Sequence, residues 1–154
     1  MINRKTFLRS SVAAAVIGVA VLSGCAPMRP SMTTTIYETT LSAANEVPSN
    51  ASYGTGTVEA TWKPATMTLS YKVTYSGLSG PATAAHFHGP ALPGANAGVA
   101  LPVTIGTPNL MTMQGDAVLT QKQADDLAAG LWYFNIHTAA NPGGEIRGQM
   151  RLRG

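Results

Sequence analysis

Apolar and polar residues trade places along much of this chain with a period of two. In "TMTLSYKVTY", Met67, Leu69, Tyr71, Val73 and Tyr75 alternate with Thr66, Thr68, Ser70, Lys72 and Thr74. Successive side chains of an extended backbone point to opposite faces, so this spacing predicts a strand with one buried and one wet face. Just upstream, Val58, Ala60 and Trp62 alternate with Thr57, Glu59, Thr61 and Lys63. Pro64 lies between the two runs, where its fixed φ suits a tight turn, and the pair is expected to form a hairpin.

Five further runs read as strands: "ATAAHFH", "VALPVTI", "MTMQGDAVL", "LWYFNIHT" and "EIRGQMRL". Pro102 has no N–H to give to a ladder, which places its strand at an edge or a bulge. One segment, "TQKQADDLAAG", departs from the period. Thr120 and Gln123 have capping-box spacing, Leu127 and Ala128 form a narrow apolar stripe, and Gly130 is a stop, which together predict one short helix. Short strands separated by glycine turns imply an all-β, antiparallel, Greek-key-like sandwich or flattened barrel with that single helix.

The first residues follow a different logic. Arg4, Lys5 and Arg9 precede a small-residue apolar run from Ser11 to Gly24, too short to span a bilayer but suited to a secretory signal. Leu22-Ser23-Gly24-Cys25 resembles a bacterial lipobox, which implies lipidation of Cys25, the chain's only cysteine. Several acyl chains make a stable membrane anchor where one would be marginal. Residues 1–24 are thus expected to be a lipoprotein signal peptide, 25–35 a lipidated cysteine and Pro/Thr-rich tether, and 36–154 the folded domain. Ala26, rather than aspartate, follows the cysteine. In a Gram-negative host this favours the outer membrane as the address of an envelope lipoprotein.

Charge looks different once the signal is set aside. The whole chain carries a net +3, but Arg4, Lys5 and Arg9 account for it: the remaining seven basic residues are matched by seven acidic ones. No basic field is left to attract nucleic acid, and no protein partner can be named from composition. With Cys25 lipidated, no disulfide can form, so the domain must rest on its own core, for which its length is sufficient.

The successive stretches "LSAANEVP", "GTGTVEATW", "YSGLSGPATAAHFHGPALPGANAGVALPV" and "LAAGLWYFNIHTAANPGGEIRGQM" resemble, in order, the motifs of the CHRD (chordin) domain over about residues 36 to 152. The resemblance implies an extracytoplasmic β fold. It implies no settled activity, since bacterial members are mostly small secreted proteins or lipoproteins, and fold alone does not set function.

Three histidines carry the candidate chemistry. His86 and His88 lie two apart and so share a strand face, with Phe87 on the other. In "LWYFNIHT", Trp132, Phe134 and Ile136 share one face and Tyr133, Asn135 and His137 the opposite one. If the two strands are neighbours, His86, His88 and His137 converge, and three imidazoles suit copper or zinc with a position open to a small ligand. Tyr133 and Asn135 are then candidates to orient a ligating ring. The H-x-H pair with a distant histidine is similar to the copper ligands of copper–zinc superoxide dismutase. The bridging histidine, aspartate cluster and disulfide of that family have no counterpart here, and dismutase chemistry does not carry over. The competing expectation is a set of framework histidines that anchor turns.

Met111 and Met113 could offer sulfur to reduced copper but fit a core strand better. Glu145 and Arg147 share a face and are expected to pair, with a carboxylate clamp at Arg147 as the alternative. Glu46 resembles the family's "EVP" and carries no evident chemistry beyond capping a turn. No G-x-S-x-G elbow, paired acid–base carboxylates or phosphate loop appears. The functions left are a binding or accessory module, a small metal-dependent redox enzyme, or a structural or adhesive envelope protein.

Overall fold

In a computed structural model of the chain, the structure describes residues 33–107 and 110–154. The expected signal peptide, Cys25 and nearly all of the tether lie outside the described residues. Among the described residues nine strands form one antiparallel sheet: β1 (Thr35–Ser42), β2 (Thr55–Lys63), β3 (Thr68–Ser76), β4 (Ala82–His88), β5 (Val99–Val103), β6 (Thr112–Val118), β7 (Tyr133–Thr138), β8 (Ile146–Gln149) and β9 (Arg151–Leu152). The order across the sheet is β5-β4-β7-β8-β1-β2-β3-β6, with β9 pairing on β1, and the sheet curls into a nearly closed barrel. The all-β architecture with one short helix matches the periodicity.

The predicted hairpin is β2–β3, paired from Thr55↔Ser76 to Lys63↔Thr68 around Pro64. β1 is the strand that the alternation did not mark. Of its inward positions only Tyr37 and Leu41 are large and apolar, and threonines occupy most of the rest. β1 also begins at Thr35, so the last residue of the expected tether is already in the sheet. β5 is an edge strand and its pairing with β4 shifts register between Phe87 and His88, which satisfies both expectations for Pro102.

Helix α1 (Gln121–Ala128) carries the predicted capping box: the Thr120 hydroxyl accepts from Gln123 N, and the Gln123 side chain accepts from Thr120 N. Its buried stripe, however, is Ala124 and Leu127, not Leu127 and Ala128. Residues three apart share a helix face and adjacent ones do not. The Gln123 amide donates to Ala100 O on β5 at 2.9 Å, so α1, which follows β6, ties together the two free edges of the sheet.

Inside the barrel, Leu69 and Val73 meet Phe87, Trp132, Phe134, Ile136 and Met150, all fully buried. Phe87 packs edge-on against Phe134 at a ring separation of 4.8 Å. Burying side chains of this size stabilises by about 1.5–3 kcal/mol each. The choice of inward face on β4 and β7 is therefore strongly determined, and with it the outward face. Gly89 ends β4 because the chain there crosses the indole: a Cβ would lie 2.5 Å from the Trp132 ring. Among the described residues no helix is long and apolar enough to cross a membrane.

Candidate metal centre

β4 and β7 are hydrogen-bonded neighbours, as convergence requires. Their register sets His86 opposite Asn135, His88 opposite Tyr133 and His137 opposite Ala84. The core takes Ala85, Phe87, Phe134 and Ile136, so His86, His88, Tyr133, Asn135 and His137 share the outer face. Asn135 lies between Tyr133 and His137 on that face, directly across from His86.

One ring nitrogen from each histidine lies within 4.8 Å of the others. His86 Nδ1 and His137 Nε2 are 3.2 Å apart. Bonds of about 2.0–2.1 Å to a shared ion at tetrahedral angles would separate ligand nitrogens by about 3.3 Å. The His86–His137 pair already has that spacing, and the His88 ring would turn slightly inward to complete it. The ring centroids stand 5.0 Å (His86–His137), 5.3 Å (His86–His88) and 6.2 Å (His88–His137) apart.

The surroundings set the rings. His137 Nδ1 donates to Pro142 O at 3.0 Å, and His88 Nδ1 donates to Ala97 O at the same distance. A backbone carbonyl on one nitrogen selects the tautomer and leaves the other nitrogen with its lone pair, the usual arrangement around a ligating imidazole. His88 Nε2 lies 3.0 Å from Asn135 Oδ1. The Tyr133 ring stacks on His88, 4.8 Å between centroids and 4° from parallel, and the Arg147 guanidinium covers the other face of that ring at 3.4 Å. His88 is buried; His86 and His137 are partly exposed, which leaves one side of the cluster open.

Burial, followed by the neighbouring imidazoles, lowers the pKa of His86. Burial also dominates at His88 and lowers its pKa, against hydrogen bonds to Ala97 and Asn135 that favour the charged ring. Both shifts favour the neutral ring, the form that binds a metal.

Glu145 and Arg147 do not pair. Both are fully buried but serve different neighbours. Glu145 Oε1 accepts from Ser52 Oγ (2.6 Å) and Ser79 N (2.7 Å), and Oε2 accepts from Ser79 Oγ (2.6 Å), Asn141 Nδ2 (3.0 Å) and the Thr138 hydroxyl. Burial alone would raise this carboxyl, but the hydroxyl and amide donors outweigh it and hold it down to about 2. Arg147 donates to Asn96 Oδ1 at 2.8 Å and to the Ala95 carbonyl, so each terminal nitrogen already has a partner within the protein. Met113 is a core residue on β6, Met111 is half exposed, and neither belongs to the cluster.

Glu46 is the residue whose chemistry the sequence did not disclose. It is 6% exposed, Asn135 Nδ2 turns toward its carboxylate, and its Oε1 is buried without a hydrogen-bond partner. Burial raises its pKa, opposed by the Arg147 charge and by donors from Asn135 and Val47 N. Gly144, at φ 133°, has no room for a side chain because a Cβ would strike the Glu46 carboxylate and lie 2.8 Å from Asn135 Nδ2. The second glycine of "NPGG" was the available signal, since it marks a close approach as well as a turn.

A groove of about 790 Å³ lies elsewhere, across the outer faces of β1 to β3. Its charges are partly internal: Arg153 pairs with Glu38 at 2.5 Å and with Glu59 at 2.6 Å. No imidazole lines it.

The sequence of the described barrel matches the CHRD domain across residues 37–150, nearly its whole extent. The chain belongs to the CHRD domain family. Within this CHRD domain, the matched span contains all three histidines together with Glu46, Asn135 and Arg147. No curated protein and no solved structure matches the chain.

Proposed function

We propose that this CHRD domain is an extracytoplasmic binding or accessory module that holds copper or zinc on His86, His88 and His137, tethered to the envelope by lipid on Cys25. The observation that carries the metal assignment is the 3.2 Å approach of His86 Nδ1 to His137 Nε2, with the His137 tautomer set by Pro142 O. Two ring nitrogens at that spacing could share an ion with little movement once the proton between them is released, and His88 is close enough to add a third.

The direct test is titration of the purified protein, freed of metal by chelation, with Zn²⁺ and Cu²⁺. One ion should bind per chain in the wild type and none at this site in His137→Ala. A wild type that ignores both ions sinks the assignment. The anchor is tested separately: labelled palmitate should enter the wild type and be absent from Cys25→Ser.

One observation favours a second reading, a metal-free framework. Every imidazole already has a partner within the protein, His86 and His137 in each other and His88 in Ala97 and Asn135. On that reading His137→Ala lowers stability and metal ions change nothing.

A further inference from the structure

The sheet ends on two free strands, and they are finished differently. On β5, Pro102 has no N–H to offer, the pairing with β4 shifts register, and the Gln123 amide already occupies Ala100 O. β6 has none of these protections: its pairing with β3 runs unbroken from Thr68↔Val118 to Thr74↔Thr112. Tyr75 N donates to Met111 O and Leu119 N donates to Met67 O, so the odd-numbered residues between them face β3. The backbone groups of Thr112, Gln114, Asp116 and Val118 therefore face away from it. Among the described residues no group hydrogen-bonds to them. Gly106 comes close at Thr112 O, where a Cβ would lie 2.9 Å away. The side chains of Gln114, Asp116 and Val118 are exposed.

We propose that the free edge of β6 is an interaction surface for a second copy of this chain, the two strands pairing antiparallel about Gly115. The strand's own sequence argues for this occupant. About Gly115, Gln114 of each copy falls opposite Asp116 of the other, and Thr112 falls opposite Val118. These are the residues whose backbone groups face the free edge, so each central pair can exchange two N–H···O bonds. The Gln114 amide meets a carboxylate that it can donate to. At each end two β-branched side chains meet, which covers the exposed Val118. On the barrel side the symmetry axis passes Gly115, which brings no side chain to it. Each Gly115 lies under its own Tyr71, whose hydroxyl a Cβ there would meet at 2.6 Å.

Charge and length select this register. Moving the axis to Asp116 sets the two Asp116 carboxylates against each other, and like charges directly opposite are destabilising. Moving it to Gln114 leaves Val118 beyond the end of the partner strand. An edge of seven residues is short, which places the contact at the weak, reversible end of protein–protein association.

Disulfide trapping of the whole protein, read on non-reducing gels, tests the register, with the parent carrying only Cys25 as the baseline. Directly paired residues of this kind stand about 5.5 Å apart between Cα atoms, within reach of a disulfide. The two copies of residue 114 stand diagonally, about 7–8 Å apart. A mixture of Gln114→Cys and Asp116→Cys should therefore give a linked dimer on mild oxidation, well above either variant alone. Charge provides the second arm. In EDTA and density-matched detergent, sedimentation of the wild type should show dimers by about 0.1 mM. Gln114→Glu sets like charges against each other in both central pairs and should weaken the dimer about 2- to 30-fold. Adding Asp116→Lys should restore it, which damage to each barrel alone would not allow. A wild type that stays monomeric at that concentration overturns the second copy as occupant and leaves the edge to a different chain. Single cysteine variants that link as well as the mixture, or a dimer indifferent to Gln114→Glu, place the contact elsewhere and overturn the pairing equally.

Discussion

Two buried polar clusters sit a few residues apart on β7 and β8, and they are built on opposite plans. Around Glu145, five donors from Ser52, Ser79, Thr138 and Asn141 converge on two carboxylate oxygens, and every lone pair that needs a partner has one. Around Asn135 the groups are less fully partnered: His88 Nε2 lies against the amide oxygen, His137 Nε2 against His86 Nδ1, and Glu46 Oε1 has no hydrogen-bond partner. A saturated cluster has nothing left to offer a ligand and acts as a clamp, here joining the loops before β2 and β4 to the β7–β8 turn. The imidazole cluster has fewer internal partners and keeps a side open to solvent. The contrast sets a framework clamp beside the proposed site.

The sharpest way to break this contrast is to remove each centre in turn. Glu145→Ala leaves buried donors without an acceptor and should cost about 3 kcal/mol or more of unfolding free energy in urea, because each orphaned group carries a penalty of about 1–3 kcal/mol. A loss below about 1 kcal/mol would show that the clamp is ornamental. The other cluster should behave conversely. Zn²⁺ at a hundredfold excess over its dissociation constant should raise the stability of the wild type by about 2.7 kcal/mol and leave His137→Ala where it was. Equal responses in the two proteins would place the ion elsewhere.

Acid sharpens the comparison further. The Glu145 carboxyl is held down to about 2 in the folded state, below its ordinary value near 4.5. The unfolded chain therefore takes up the proton first as pH falls. The stability that this group contributes is complete above pH 4.5 and disappears as pH drops through 4.5 toward 2. The gap in urea midpoint between the wild type and Glu145→Gln should shrink across that window, and a constant gap would refute the saturated carboxylate. The smallest expected effect is Asn141→Ala, which removes one donor of five and exposes its site to water. It should cost about 1 kcal/mol in the same urea assay and leave metal affinity unchanged.

Much of the fold was legible because burial of one strand face writes a period of two. In β2, β3 and β7 apolar residues recur at alternate positions, Phe87 marks the inward face of β4, and the structure follows them. β1 escaped because threonines fill half of its inward register, and Tyr37 and Leu41 alone are too far apart to mark a period. The histidines were legible for the same reason as the core: Phe87, Phe134 and Ile136 fix the inward face, so the outward residues are known once the strands are. The pairing of β4 with β7 was not legible, since register depends on partners nearly fifty residues away. The Glu145–Arg147 expectation failed because sharing a face says nothing about loops that fold over it. Ser52, Ser79, Ala95 and Asn96 all come from connecting segments without periodicity, and they took both charges.

The place where β1 enters the sheet has one last consequence. Thr35 pairs with Trp62 at one end of the barrel, whereas Arg147, beside Asn135, is level with Ser42 at the other. Seven residues of extended chain separate those levels, about 23 Å at 3.3 Å per residue. With the proposed anchor at Cys25 the barrel would stand on the end where Thr35 enters, and its imidazoles would look outward from the bilayer, within reach of dissolved ions and passing proteins and beyond the lipid headgroups.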